Sequence, residues 1–259
     1  MLKITSPHNE KIKNLIRLAK NRERDKQSLI IIEGARAIKE AMRAGFLISQ
    51  AFFCRELMKD KSLLPDFPDF IEVEPSVFKR VSYAENPDGY LVLAKPKYID
   101  LKDSKLSSQP LVLVLESLEK PGNLGAILRS AYAAKVDLII INDPKTDIYN
   151  PNVIKTSEGF LFNNQVVIAT QKATYKFLKD HEILVLATSI QAAKIYTGID
   201  FTKPHALVIG SESKGLSRSW LSLADEQIKI PMKPGIDSLN ASVSTAVILF
   251  EAWRQRGFS

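Results

Sequence analysis

The sequence has a single cysteine, Cys54, and only three histidines, His8, His181 and His205. One cysteine excludes an intrachain disulfide and a multi-cysteine zinc site, and the histidines show no metal-ligand spacing. No metal is expected. Nothing approaches the run of about 18 apolar residues that a membrane-spanning helix needs. The opening MLKITSPHNEKIKN has no apolar signal core. These absences predict a protein of a reducing interior, the cytoplasm or an organelle matrix, with no membrane partner. Neither G-x-G-x-x-G nor a glycine-rich loop ending in Lys-Ser/Thr occurs, so dinucleotide binding and the P-loop are both set aside.

What is present suits one large domain or two modest ones. The chain has 259 residues, 45% of them hydrophobic and 25% charged. The net charge is +7, and residues 1–26 carry eight Lys or Arg against three acids, a candidate phosphate-binding face or a solvated helix. Apolar periodicity predicts a helix over residues 9–25, strands at 28–33, 48–53, 70–75 and 89–95, the first ended by Gly34 and the last by Pro96, and helices at 35–44 and from Pro75. A polar, proline-containing stretch at 96–109 reads as a linker between a small domain at 1–95 and a second at 110–259. The second domain begins a new alternation: strands near 111–117, 137–143, 165–168, 182–188, 205–213 (running into a loop) and 226–232, with helices near 123–134, 150–158, 171–180 and 240–256. Near-continuous apolar strands separated by helices predict an α/β fold with a parallel sheet covered on both faces.

Three loops that follow strands hold the residues suited to chemistry. Pro121-Gly122-Asn123-Leu124-Gly125 opens a helix carrying Arg129, with Asn123 as candidate N-cap. Gly210-Ser211-Glu212-Ser213-Lys214-Gly215 gives a tight turn with one carboxylate. Ile230-Pro231-Met232, then Ser238-Leu239-Asn240-Ala241-Ser242, leads from a strand into a helix whose first amides can hold an anion. Taken singly, each also suits a capped helix or a solvated turn.

In order, N-x-G-x-x-x-R, G-S-E-x-x-G and I-P-M-x-x-x-x-x-S-L-N-x-S resemble the SpoU (TrmH-type) family of RNA ribose 2′-O-methyltransferases over about residues 110–256. The segment IIEGARAIKEAMRAG is similar to the small α/β substrate-binding domain that precedes it in many members. The resemblance implies a SPOUT fold with a deep trefoil knot, S-adenosylmethionine as cofactor, an RNA substrate and a homodimer. Ribosomal RNA is the implied target; transfer RNA, or RNA binding without catalysis, are the alternatives. Carried over by motif, Asn123, Arg129, Glu212, Asn240 and Ser242 form the implied catalytic set. Arg129 would hold the target phosphate or help remove the hydroxyl proton, and Glu212 would orient the network. Gly210, Gly215, Ile230, Met232 and Leu239 form the implied cofactor set, with Gly210, Ile230 and Leu239 giving mainly backbone contacts. The chain departs from the family pattern at Lys135, where glycine is usual, at Lys155, where arginine is common, and at Glu158, where a small or apolar residue is usual.

Overall fold

The computed structural model describes residues 3–58 and 70–258. The chain divides into two compact units: Met1–Lys97 with Asp147–Asn163, and Tyr98–Thr146 with Asn164–Ser259. The sequence reading assigned all of 110–259 to the second domain; by its packing, the stretch 147–163 groups with the first unit.

The first unit contains β1 (Lys3–Ile4), α1 (Glu10–Arg17), α2 (Asn21–Gln27), β2 (Ile30–Glu33), α3 (Ala35–Arg43), β3 (Ile48–Phe53), β4 (Phe70–Val73), α4 (Pro75–Val81) and β5 (Tyr90–Ala94). The helix expected over 9–25 is two helices, because Leu18 caps α1 and the chain turns before α2. The sheet order is β1-β4-β3-β5-β2, with β5 antiparallel to both neighbours. One face packs on Ile12 and Leu15 of α1 and on Val77 and Phe78 of α4. Further cover comes from α3 and from the inserted segment, whose α6 (Pro151–Thr156) packs on β2 and whose 3₁₀ turn at Phe160–Asn163 packs on α3. The approach is close: a Cβ on Gly159 would lie 2.6 Å from Ala37 Cα.

Arg24 anchors this segment. It is 3% exposed. Its Nε donates to Asp147 Oδ2 at 2.9 Å, and another guanidinium nitrogen donates to the carbonyls of Leu18 and Ala19 at 2.8 Å each. One of the eight cations counted at the N-terminus is therefore a buried structural group, not part of a phosphate-binding face.

The second unit contains β6 (Leu111–Glu116), α5 (Pro121–Ala133), β7 (Leu138–Asn142), β8 (Val166–Ile168), α7 (Gln171–Asp180), β9 (Leu184–Thr188), β10 (Lys194–Ile195), β11 (His205–Ile209), α8 (Arg218–Leu223), β12 (Glu226–Lys229) and α9 (Ala241–Gln255). All seven strands are parallel, in the order β10-β12-β9-β11-β6-β7-β8. Alternate residues of β6, Val112 and Val114, join a cluster with Leu178 of α7 and Trp220 of α8. Leu111, Leu113 and Leu115 point the other way and are equally buried. Both faces are thus covered, which is why the inner strands β6, β7 and β11 read as nearly unbroken apolar runs. The short β1, β10 and α8 carry too little periodicity to have been expected.

Candidate active site

Four loops meet beyond the carboxyl ends of β6, β9, β11 and β12. α5 begins at Pro121, with Lys120 in the cap position. Asn123 is therefore inside the first turn and is not the N-cap that its residue type suggested. Its side chain is left available for tertiary contacts. Asn123 Nδ2 donates to Glu212 Oε1. Asn123 Oδ1 accepts from Asn240 Nδ2 at 3.1 Å. Asn240 is the N-cap of α9, and its Oδ1 accepts from both the backbone N–H and the hydroxyl of Ser242, at 2.8 and 2.7 Å. Glu212, Asn123, Asn240 and Ser242 thus form one hydrogen-bonded run, assembled from three loops. Glu212 Oε2 is buried and accepts no hydrogen bond among the described residues. A buried carboxylate oxygen of this kind calls for a donor. Arg129 lies six residues beyond Asn123 on α5, with its side chain exposed.

The loop after β11 folds back on itself. Ser211 and Gly215 exchange backbone hydrogen bonds of 3.1 and 2.9 Å. A Cβ on Gly210 would lie 2.2 Å from Gly215 C and 2.3 Å from Leu216 N. Glycine is required there by the chain's own backbone, and not, as the sequence suggested, only by a ligand. Gly215 has φ +66° and open space around it, so its requirement is conformational. Two further bonds hold the loop. Ser213 Oγ donates to Glu119 Oε1 at 3.1 Å, and Ser217 N donates to Glu116 Oε2 at 2.8 Å.

Beside this loop lies a cleft of about 500 Å³, within the usual range of about 300–1,000 Å³ for small-molecule sites. Gly210, Gly215, Ile230, Met232 and Leu239, the five residues of the implied cofactor set, all line it, as does Glu212. Ile190, Ile209, Leu216 and Ile248 add apolar wall, while Lys214, Lys229 and Asp237 supply charge. An apolar wall for a nucleobase and charged groups for an amino-acid tail fit S-adenosylmethionine. Sequence reasoning missed the wall formed by Thr188–Gln191 and the two loop anchors Glu116 and Glu119. The first was findable, since those residues follow β9 as the recognised loops follow their strands. Among the described residues no group of three or more His, Cys, Asp or Glu side chains is placed to hold a metal ion, and no helix is long and apolar enough to cross a membrane.

Sheet and cleft together place the chain among α/β proteins that hold a ligand beyond the carboxyl edge of a parallel sheet. The profile of the SpoU rRNA Methylase family matches residues 110–250, and that of the MRM3-like substrate binding domain matches residues 9–92. The chain belongs to the SpoU rRNA methylase family. It is 26% identical to the 23S rRNA (guanosine(2553)-2′-O)-methyltransferase RlmP of Bacillus subtilis, over 96% of this chain and 98% of that protein. It is 31% identical to an uncharacterized tRNA/rRNA methyltransferase of Synechocystis, over 98% and 94%. Among solved structures, an RNA 2′-O ribose methyltransferase superposes with a TM-score of 0.90 at 37% identity, covering 98% of this chain and 99% of that one. The SpoU methyltransferase AviRb from Streptomyces viridochromogenes, in complex with AdoMet, superposes with a TM-score of 0.88 at 27% identity, covering 97% and 100%.

Proposed function

We propose that this protein transfers a methyl group from S-adenosylmethionine to a ribose 2′-hydroxyl of ribosomal RNA. The observation that carries the reading is the run Glu212–Asn123–Asn240–Ser242 joined to a cleft lined by all five implied cofactor residues. The bound cofactor supplies an electrophilic methyl on a sulfonium. The protein's task is to align the attacking oxygen with that methyl and the departing sulfur. The 211–215 loop and the 230–239 segment form the cofactor cradle, and Asn240 and Ser242 line the ribose side. Arg129, permanently protonated, holds the target phosphate through its planar fork. Glu212 holds Asn123 through one oxygen and offers the other to a donor arriving with the substrate.

The same reading includes a trefoil knot in the C-terminal part of the chain and a cytoplasmic setting. It also includes a homodimer, supported by the exposed apolar side chains Val243 and Phe250 on α9 and Tyr132 on α5. RNA affinity is assigned in part to the exposed cations of α1 and α2, among them Lys11, Arg17, Arg22 and Lys26.

Mapping 2′-O-methyl positions in total RNA from a deletion strain and its parent tests the activity; identical maps overturn it. Arg129→Ala tests the assignment. Turnover should fall by about 100-fold with cofactor affinity and folding retained, and Arg129→Lys should rescue poorly. Near-normal turnover by the alanine variant removes Arg129 from the mechanism.

A further inference from the structure

The first unit has a concave site of its own, a pocket of about 230 Å³ at the carboxyl end of β2 and the start of α3. Its floor is apolar, made by Ile31, Ala37 and Ile154. Its rim is not. It carries acceptors (Glu33, Asp88 and Glu158) together with donors (Arg36, Asn86 and Lys155). A phosphate site would gather cations and backbone amides, and three carboxylates would repel its ligand. A solvated crevice would leave its polar side chains loosely held.

Here they are held. Glu33 Oε2 accepts from Tyr83 N at 2.6 Å, and its other oxygen accepts from the Ser82 hydroxyl. Asp88 accepts from Ala35 N at 2.7 Å and from Tyr90 N at 3.3 Å. Lys155 Nζ donates to Tyr83 O at 3.1 Å. Arg36 pairs with Glu158 and lies over the Phe160 ring, 5.1 Å from its centroid. A carboxylate can accept about four hydrogen bonds, so Glu33 and Asp88 keep acceptor capacity while fixed in direction.

We propose that this pocket receives one unpaired base of the RNA substrate, outside the nucleotide that is methylated. The proposal rests on the RNA methyltransferase reading above. The match of residues 9–92 to a substrate binding domain points the same way. An apolar, base-sized recess with a fixed rim of mixed donors and acceptors suits the edge of a nucleobase. A planar guanidinium at the mouth offers it a stacking surface, and this is how proteins read unstacked RNA bases. Phosphate contacts elsewhere on the unit would position the RNA, and the pocket would select it.

The test uses the full chain and the shortest synthetic RNA that it methylates, with each nucleotide outside the methylated one made abasic in turn. Binding is read by fluorescence anisotropy. One abasic position should weaken binding to the wild type by about tenfold or more. Ala84→Trp, which fills the pocket from its wall, should weaken binding of the intact RNA similarly. It should then show no further loss at that one position, because the lost contact is the same one. Should Ala84→Trp lower the melting temperature, the gentler pair Asn86→Ala with Lys155→Ala serves in the same comparison. Equal losses for wild type and variant at every abasic position would overturn the pocket assignment alone. A wild-type protein that methylates no RNA would overturn the parent reading and this one with it.

Discussion

The second unit closes both faces of its sheet with helices that follow its own strands, α5, α7, α8 and α9. The first unit completes its cover with α6 and the 160–163 turn, which lie in sequence between the neighbouring strands β7 and β8 of the other unit. The chain therefore crosses between the units at three points, after Lys97, Thr146 and Asn163. One unit is contiguous in its chemistry: every loop of its site ends a local strand. Both units are split in sequence, but the first depends for its cover on a segment that lies between two strands of the other. The difference predicts that lesions should separate. Damage to the 210–216 loop should abolish cofactor binding, while damage to the inserted segment should unfold the first unit and spare it.

The largest expected effect on function, loss of cofactor binding, is at Gly210. Its added Cβ meets backbone atoms at 2.2 to 2.3 Å, and backbone cannot swing aside as a side chain can. Gly210→Ala should abolish cofactor binding by calorimetry. It should also destabilise the second unit by about 1–3 kcal/mol, the usual cost of overpacking, or more. Gly215→Ala sharpens the contrast, since its Cβ meets nothing and only φ +66° opposes it. The expected cost there is about 1 kcal/mol. Equal behaviour of the two alanines would show that the loop does not close on Gly210.

Next comes Arg24→Ala. Removing one partner of a buried ion pair leaves Asp147 uncompensated, a loss of about 3–5 kcal/mol. The first unit should melt early while cofactor affinity in the second is unchanged. A single unshifted unfolding transition would refute the anchoring role of the Arg24–Asp147 pair.

These two sites also mark what the sequence could and could not reveal. The inner strands of the second unit, β6, β7 and β11, were legible because burial on both faces leaves no polar alternation to misread. The loops that meet at its cleft were legible because each motif follows a strand. Nothing local announced that 147–163 belongs to the first unit, since its partners Arg24, Ala37 and Glu40 lie more than one hundred residues away. Charge counting likewise could not tell Arg24, which is buried, from Arg22, which is exposed. Lys155 and Glu158 stood out only as departures from a family pattern; their place on the first unit's pocket depends on the fold.

A smaller effect should appear in acid and belong to the second unit alone. His205, at the start of β11, is 3% exposed, lies with its ring tilted against Phe201, 5.6 Å between centroids, and has Nδ1 2.8 Å from Lys203 O. Burial pushes its pKa below the ordinary 6.5. The neutral ring is thus favoured in the folded state. Its contribution to stability is complete above the unfolded-state pKa and is lost as pH falls from there through the lowered folded value. Denaturant titrations should show the second unit weakening below about pH 6.5, and His205→Gln should flatten that slope. An unchanged slope would mean that the acid sensitivity lies elsewhere.

The smallest expected effect concerns Lys135. It follows Ala134, the C-cap of α5, and has φ +54°. Lys135 N donates to Tyr132 O at 3.2 Å, and Val136 N donates to Ala131 O at 2.9 Å, the paired bonds of a left-handed helix stop. The family resemblance put glycine here, and the turn is made with lysine all the same, at the cost of a side chain in a region that glycine enters freely. Lys135→Gly relieves that strain but adds freedom to the unfolded chain, so the two terms oppose each other. Relief should win by about 0.5–1 kcal/mol, because a left-handed non-glycine residue costs roughly 1–2 kcal/mol. A rise in the midpoint of the second unit's unfolding, with the first unit's unmoved, is the expected result. A fall would show that the lysine side chain makes a compensating contact at the end of α5.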